Sequence, residues 1–437
     1  KKTYWRSRRH CLLAGFGAAP QGPARGFVIT FFIFIGGGVV MDTRDAVHRL
    51  IQESDGLLRL RPAWVSRIFL PPGKRLGLPD EAYDAGERGY ITERWIASTT
   101  EAENPILTPN EGLSYLDVPS GPDITLRDAV QAAPDLIMGE DYASAHSGLG
   151  RLPKFFDNAD RLPFHIHQRQ EDAVKIGKKP KEESYYFPPN VPMGPHPETF
   201  FGLHPYIVRE NRRDIVVRLL EDWEHSDRFL ALSRAYLNVP DDGFHLPAGI
   251  LHAPGSALTI ELQEDSDVSA MFQGRLAHTL LDKGALIRDV PPEELARKGM
   301  MALVDQLDWE ANGDPYFYEN HHTPPVPVEG RMTGASEEWW IFYNTTKYSG
   351  TKLIVRPGGS CEFADKGAYN ILVWDGRGEV GGLPVRGRDS SADEIMVTAG
   401  RAGRGVKVVN TGGEDLMLIK FFGPDINDDA PVLKKYQ

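Results

Sequence analysis

At 437 residues, with 41% apolar and 25% charged side chains, the chain has the composition of a soluble globular protein and the length for two or three domains. Its 61 acidic and 49 basic residues leave a formal charge of −12, which argues against nucleic acid or an anionic membrane as a partner. Cys11 and Cys361 are too few and too far apart in sequence for a disulfide framework, so a reducing cytoplasm is expected.

The first 40 residues differ from the rest. KKTYWRSRRH is basic and FVITFFIFI is apolar, but that run falls far short of the ~20 residues that span a bilayer. A basic stretch before an apolar run superficially resembles a secretory signal, yet its cleavage pattern is poor and no Met opens the chain. Residues 1–40 therefore read as an upstream extension, with the functional protein expected to begin at Met41. Residues 41–153 form an α/β segment expected to pack on a first barrel. In it MDTRDAVHRLIQ predicts a helix, WVSRIFLPPG and YITERWIAST predict strands, and residues 125–133 predict a helix capped by Thr125 with Asp128 three positions on.

Residues 154–285 read as β runs interrupted by a helical insertion at about 188–240. Inside it, NRRDIVVRLLEDW places Ile215, Leu219 and Trp223 four apart, the stripe of an amphipathic helix. Residues 286–333 supply a helix over 291–308, with proline and acidic residues at its start, and then a proline-rich linker over 319–330. Adjacent His321 and His322 point to opposite sides of an extended linker and are not expected to share a metal. Residues 334–437 are almost all strand, with Gly, Asp and Asn turns at regular spacing. This second barrel contains no histidine, so it is assigned a structural, dimerising or lid role.

The chemistry lies in three short motifs. LPFHIHQ carries His165 and His167, KEESYYF carries Glu183, and FHLPAGILHAPG carries His252. On a strand, alternation puts both imidazoles of His-x-His on one face. Glu183 follows His167 by 16 positions, which leaves room for the rest of that strand, a turn and a return strand. Three neutral imidazoles and a carboxylate suit one divalent first-row metal with room for water or substrate. His204, His225 and His278 have no comparable setting and read as surface or core-edge residues, while His245 is kept as a pocket candidate.

These motifs carry a resemblance. LPKFFDNADRLPFHIHQRQEDA resembles the Leu-x-Lys-Phe-Leu-Asp and Gln-x-His-Pro stretch of type I mannose-6-phosphate isomerases. KEESYY is similar to their Lys-x-Glu-x-x-Tyr, and ITERWIAS to their Glu-Arg-Trp-x-x-Ser. FHLPAGILHAPGSALTIELQEDSD is similar to their Pro-Ala-Gly-x-x-His-Ala strand and the Glu-x-Gln-x-x-Ser-Asp stretch beyond it. The resemblance covers about residues 90–270. It implies a mainly β protein of two cupin (jelly-roll) barrels with an α-helical insertion, and a zinc-dependent aldose–ketose isomerase acting through an enediol on a sugar or sugar phosphate.

By the same resemblance His165, His167, Glu183 and His252 would hold the metal, zinc first and iron, manganese or nickel as alternatives. Lys181 would line the pocket, and Glu261 would be the first candidate for the proton-shuttling base, with Glu182 second. The family's Gln is replaced here by His165, its Ser by Pro163, and its arginine after Ser-Asp by the pair Ala270-Met271. Arg275, four residues on, is the candidate to replace that arginine as a phosphate ligand. The same three-His, one-Glu set would also suit a cupin dioxygenase, and loss of the arginine would suit a non-catalytic sugar-binding cupin. A monomer or homodimer is expected.

Overall fold

Two antiparallel sandwiches make up the protein. The structure is a computed structural model, and it describes residues 42–118, 121–276 and 279–437. The expectations for residues 1–40, for a start at Met41 and for His278 fall outside the described residues. Among the described residues no helix is long and apolar enough to cross a membrane.

The first sandwich pairs a six-stranded and a five-stranded sheet. The former runs in the order Asp242–Leu246, Glu183–Phe187, Thr259–Gln263, Leu152–Phe156, Tyr90–Trp95, Ala63–Arg67. The latter runs Ala270–Met271, His165–Ile166, His252–Ala253, Glu198–Phe201, Arg234–Leu237. Between the sheets, Phe156, Tyr185 and Phe187 pack against Phe201. The second sandwich has an eight-stranded sheet centred on Ser349–Val355, Leu416–Phe422 and Tyr369–Asp375, and a four-stranded sheet that includes Val406–Asn410. The segment before residue 154 is shared out. Leu57–Arg61 pairs with Glu394–Val397 in the second sandwich, whereas Ala63–Arg67 and Tyr90–Trp95 extend the six-stranded sheet of the first.

The two sandwiches meet back to back. Phe155, Tyr186, Ile260 and Leu262 pack on Phe342, Leu372, Trp374 and Ile419. Every residue of Thr259–Gln263 is consequently buried. Alternation sends Ile260 and Leu262 into this interface and leaves Thr259, Glu261 and Gln263 on the opposite face. A mainly β protein with its polar strand positions turned inward is thus already a protein with a built interior site.

The helices cover the outer side of the five-stranded sheet, where Val216, Leu219, Leu220 and Trp223 join Phe164, Ile166 and Leu251 in one core. Two helix expectations need correction. The helix over Arg213–Glu221 stops before Trp223, which opens a separate 3-10 stretch, Trp223–Ala231. Residues 291–308 form two helices, Pro292–Lys298 and Met301–Val304, because Gly299 adopts φ of 60°, a left-handed conformation that ends the first. Nor is 319–330 wholly a linker: its first residues finish the helix Phe317–His321, and Val326–Pro327 pairs with Trp339 and Trp340.

One ion pair ties the sandwiches together. Arg94 on Tyr90–Trp95 grips Asp393 at 2.6 Å and Glu394 at 2.9 Å, all three buried. Burial pushes both carboxyls upward, and Arg94 opposes this. Replacing Arg94 by Met leaves two carboxylates buried without their cation. Destabilisation by about 3–5 kcal/mol is the expected result, read as a lowered denaturant midpoint.

Candidate metal centre and its charged surround

Short strands set the histidines. His165 lies opposite His252 and opposite Met271, so the first and third imidazoles meet across a strand pair with ring centres 4.1 Å apart and planes tilted by 60°. His167 follows two residues later, its ring 5.1 Å from that of His252. The chain between His167 and Glu183 is a helical turn, Gln170–Ala173 continued by Val174–Ile176, rather than a hairpin. It delivers Glu183 to the start of Glu183–Phe187 on the facing sheet.

There the four candidate ligands converge. A ring nitrogen from each of His165, His167 and His252 lies within 4.8 Å of the others. Glu183 Oε2 is 3.0 Å from His167 Nε2, and Oε1 is 3.2 Å from His252 Nε2. Each histidine turns its Nδ1 to a backbone carbonyl: His165 to Pro163 at 2.7 Å, His167 to Val268 at 2.8 Å, His252 to Ile250 at 2.8 Å. A carbonyl only accepts, so each Nδ1 carries the hydrogen and each neutral ring presents the Nε2 lone pair. Burial holds His165 well below the usual histidine range, and burial together with Lys181 brings His167 down to about 4. Burial opposes the charge of Glu183, but His167 and Lys181 hold it well below the carboxylate range.

Lone pairs and carboxylate oxygens that face each other at 3.0 and 3.2 Å, with no proton between them, call for a cation. His252 Nε2 is indeed buried without a hydrogen-bond partner. The donor set of three imidazoles and one carboxylate fits a divalent first-row metal, zinc included.

Around this cluster runs a chain of alternating charge. Lys181 Nζ lies 3.1 Å from Glu183 and 3.2 Å from Glu261; Lys154 Nζ lies 3.4 Å from Glu261 and 3.7 Å from Glu93. Arg67 then forks onto Glu93 at 2.8 Å and Asp267 at 2.9 Å. All these residues are buried or nearly so. The register explains the meeting, since Glu261 lies opposite Lys154 on one side and Tyr185 on the other. Tyr185 donates its hydroxyl to Glu183. Burial, then the charge of Glu183, pushes Glu261 up to about 7. Burial works against the charge of Lys154, yet Glu261 and Glu93 hold it above the usual lysine range.

A cavity of about 60 Å³ opens onto the cluster. His165, His167, Lys181, Glu183 and Glu261 form its charged side, and Phe69, Leu162, Pro254 and Met271 its apolar side. Three predicted residues do not reach it. Glu182, adjacent to Glu183, points to the other face of the strand, where His245 Nε2 lies 3.0 Å away and Thr345 donates to it. His245 is occupied there with Glu182 and Asn344 and does not line the cavity. Arg275 is exposed and donates to the carbonyl of Glu224, because the chain turns away from the cavity after Met271. The arginines that do border it are Arg67 and Arg288, neither of which the sequence motifs single out. Their signal is faint: charged residues embedded in apolar strands, as in TIELQ and LPKFF, can be read as site residues, but Arg288 sits in a helical stretch with no such pattern.

No protein-family model matches the sequence, and no curated protein matches it. Solved structures do. A mannose 6-phosphate isomerase from Bacillus subtilis matches over 84% of this chain and 99% of its own, with TM-score 0.59 and 16% identity. A point variant of the phosphomannose isomerase from Salmonella typhimurium matches over 84% of this chain and all of its own, with TM-score 0.58 and 13% identity. The chain has the cupin fold of the phosphomannose isomerases. That fold places the candidate metal-ligand cluster inside the first barrel and leaves the second, which has no histidine among residues 334–437, without an equivalent.

The buried charge chain has a measurable pH signature. Burial opposes the charge of Glu93, but Arg67 and Lys154 hold it down to about 2. Its contribution to stability is therefore fully present above the ~4.3 of a free Glu and is lost as pH falls through about 2. Thermal unfolding from pH 6 to 2 should show a steeper acid decline in the parent than in a Glu93→Gln variant, which lacks this group.

Proposed function

We propose that the chain is a metal-dependent aldose–ketose isomerase of the mannose-6-phosphate isomerase type, interconverting a sugar or sugar phosphate through an enediol. The observation that carries this reading is the convergence of His165, His167, His252 and Glu183 beside Glu261, a carboxyl with its pKa raised to about 7. A zinc ion held by those four residues would polarise the carbonyl and hydroxyl oxygens of the open-chain sugar. Iron, manganese or nickel are the other ions the donor set accepts.

The protein groups supply the proton transfer. Glu261 as carboxylate takes the proton from C2 of the aldose, leaving an enediolate, and as carboxylic acid it returns that proton to C1 while the O2 hydroxyl proton passes to O1, giving the ketose. A pKa near the working pH suits a group that must both take and give. Lys181 and Lys154, 3.2 and 3.4 Å from Glu261 Oε1, hold that carboxyl in place and compensate its charge. The apolar wall of Phe69, Leu162 and Met271 keeps bulk water from the enediol. Glu182 remains the second candidate base only if the His245 contact breaks on substrate binding.

The test is proton NMR of solvent deuterium incorporation at C1 and C2, using metal-reconstituted protein and a panel of free and phosphorylated aldoses and ketoses. Incorporation with one sugar is expected and identifies the substrate. With full metal occupancy, absence of incorporation from the whole panel sinks the proposal. Oxygen uptake by iron-loaded protein would then support the dioxygenase reading, and sugar binding without turnover the sensing one.

A further inference from the structure

Strand alternation gives the six-stranded sheet two differently charged faces. Glu93 and Lys154 belong to the cavity at the metal-ligand cluster, so their chain neighbours Arg94 and Phe155 emerge on the other face, toward the second barrel. There, between the barrels, lies a separate cavity of about 340 Å³, within the size range of small-molecule sites. Arg94 and Phe155 form one wall, Trp374 and Asp393 the opposite one, and loops carrying Lys74 and Arg388 frame the mouth.

The feature that asks for an anionic ligand is charge. Arg94 is locked by Asp393 and Glu394, but Lys74 and Arg388 are about half exposed, Lys74 held by Asp80 at 3.0 Å and Arg388 by Asp375 at 3.7 Å and the Asn190 carbonyl at 3.4 Å. Such exposed pairs are weak, so both cations are free to turn onto a bound anion. The Arg388 guanidinium also lies 4.9 Å above the Trp374 ring, and Phe155 lies 5.8 Å from that ring, giving the cavity an apolar wall beside its cations.

We infer that this inter-barrel cavity is a second binding site, for a small organic oxyanion: a phosphate monoester or polycarboxylate on a compact apolar body. Its anionic group is held by Lys74 and Arg388 at the mouth, and its apolar body lies against Phe155. A ligand so placed touches residues one position from Glu93 and Lys154, so the two sites share two strands.

Isothermal titration of the full chain with glycerol 3-phosphate and with citrate, at matched ionic strength, tests the inference. Saturable binding of at least one probe is expected. It should weaken about tenfold or more in the double variant Lys74→Glu, Arg388→Glu and be unchanged in Lys181→Met, whose change lies at the metal-ligand cavity. Binding of glycerol 3-phosphate alone assigns phosphate monoesters, and binding of citrate alone assigns polycarboxylates. Absence of saturable binding by both probes overturns the inference. So does binding that survives the double variant and disappears in Lys181→Met, because it would then belong to the other cavity. The mouth residues are half exposed, so the double variant should keep its melting temperature, which also verifies its fold.

Discussion

On the proposed function, replacing His252 by Ala is expected to abolish divalent-ion binding and to lower isomerisation by more than about a hundredfold, since even outer partners of a metal are worth about 10–100-fold. His252 is 1% exposed, its Nδ1 is spent on Ile250, and its Nε2 has no protein partner but the Glu183 carboxylate at 3.2 Å. Metal content after gel filtration, measured beside the deuterium-exchange rate, checks the expectation. A variant that keeps one ion per chain and full exchange would remove the metal assignment. The companion experiment is to add the metal back to chelator-treated parent protein. Thermal stability should rise with ion concentration, because an ion that binds only the folded cluster stabilises it by mass action.

The second large effect is expected at Glu261. Its exchange for Gln removes the group proposed to carry the proton and should slow isomerisation by about 10²–10⁴-fold while leaving the metal bound. Geometry makes the comparison clean, because Glu261 lies beside Lys181 and Lys154 whereas Glu182 points to His245 and Thr345. Glu182→Gln should accordingly leave the exchange rate within about twofold. If the two variants exchange roles, Glu182 is the base, and the strand must rotate that side chain inward when sugar binds. Metal content has to be measured for both, since loss of the ion from Glu261→Gln would turn a catalytic effect into a ligand effect.

How far these residues could be read in advance depends on the range of the interactions concerned. The His165 and His167 pair is a local pattern, fixed by two-residue alternation, and the structure brings it together with Glu183 and His252. The Thr125 cap is local too: its side chain accepts from the Asp128 amide. Arg275 was the candidate because it stood nearest in sequence to a position where an arginine was expected. Nearness along the chain does not survive the turn after Met271, which takes Arg275 to the surface. Lys154, Glu93 and Arg67 stood inside strands recognised as strands, but their alternation of charge across three strands is a matter of register, which no single strand encodes.

From the sequence alone came the mainly β character, read from strand-like runs, and the four candidate ligands, read from three short motifs spread over residues 165–252, whereas the stretch expected as a helical insertion, about 188–240, also carries Glu198–Phe201 and Arg234–Leu237, two strands of the five-stranded sheet. Tertiary structure alone decided that Leu57–Arg61 joins the second barrel while Ala63–Arg67, just beyond it in the chain, joins the first. It alone placed Arg94 against Asp393 and opened a cavity between the barrels. Those outcomes depend on which of many chemically similar strands pair across long stretches of chain. That choice is made by the total apolar area the sheets bury against one another, a quantity that belongs to the assembled protein rather than to any local segment.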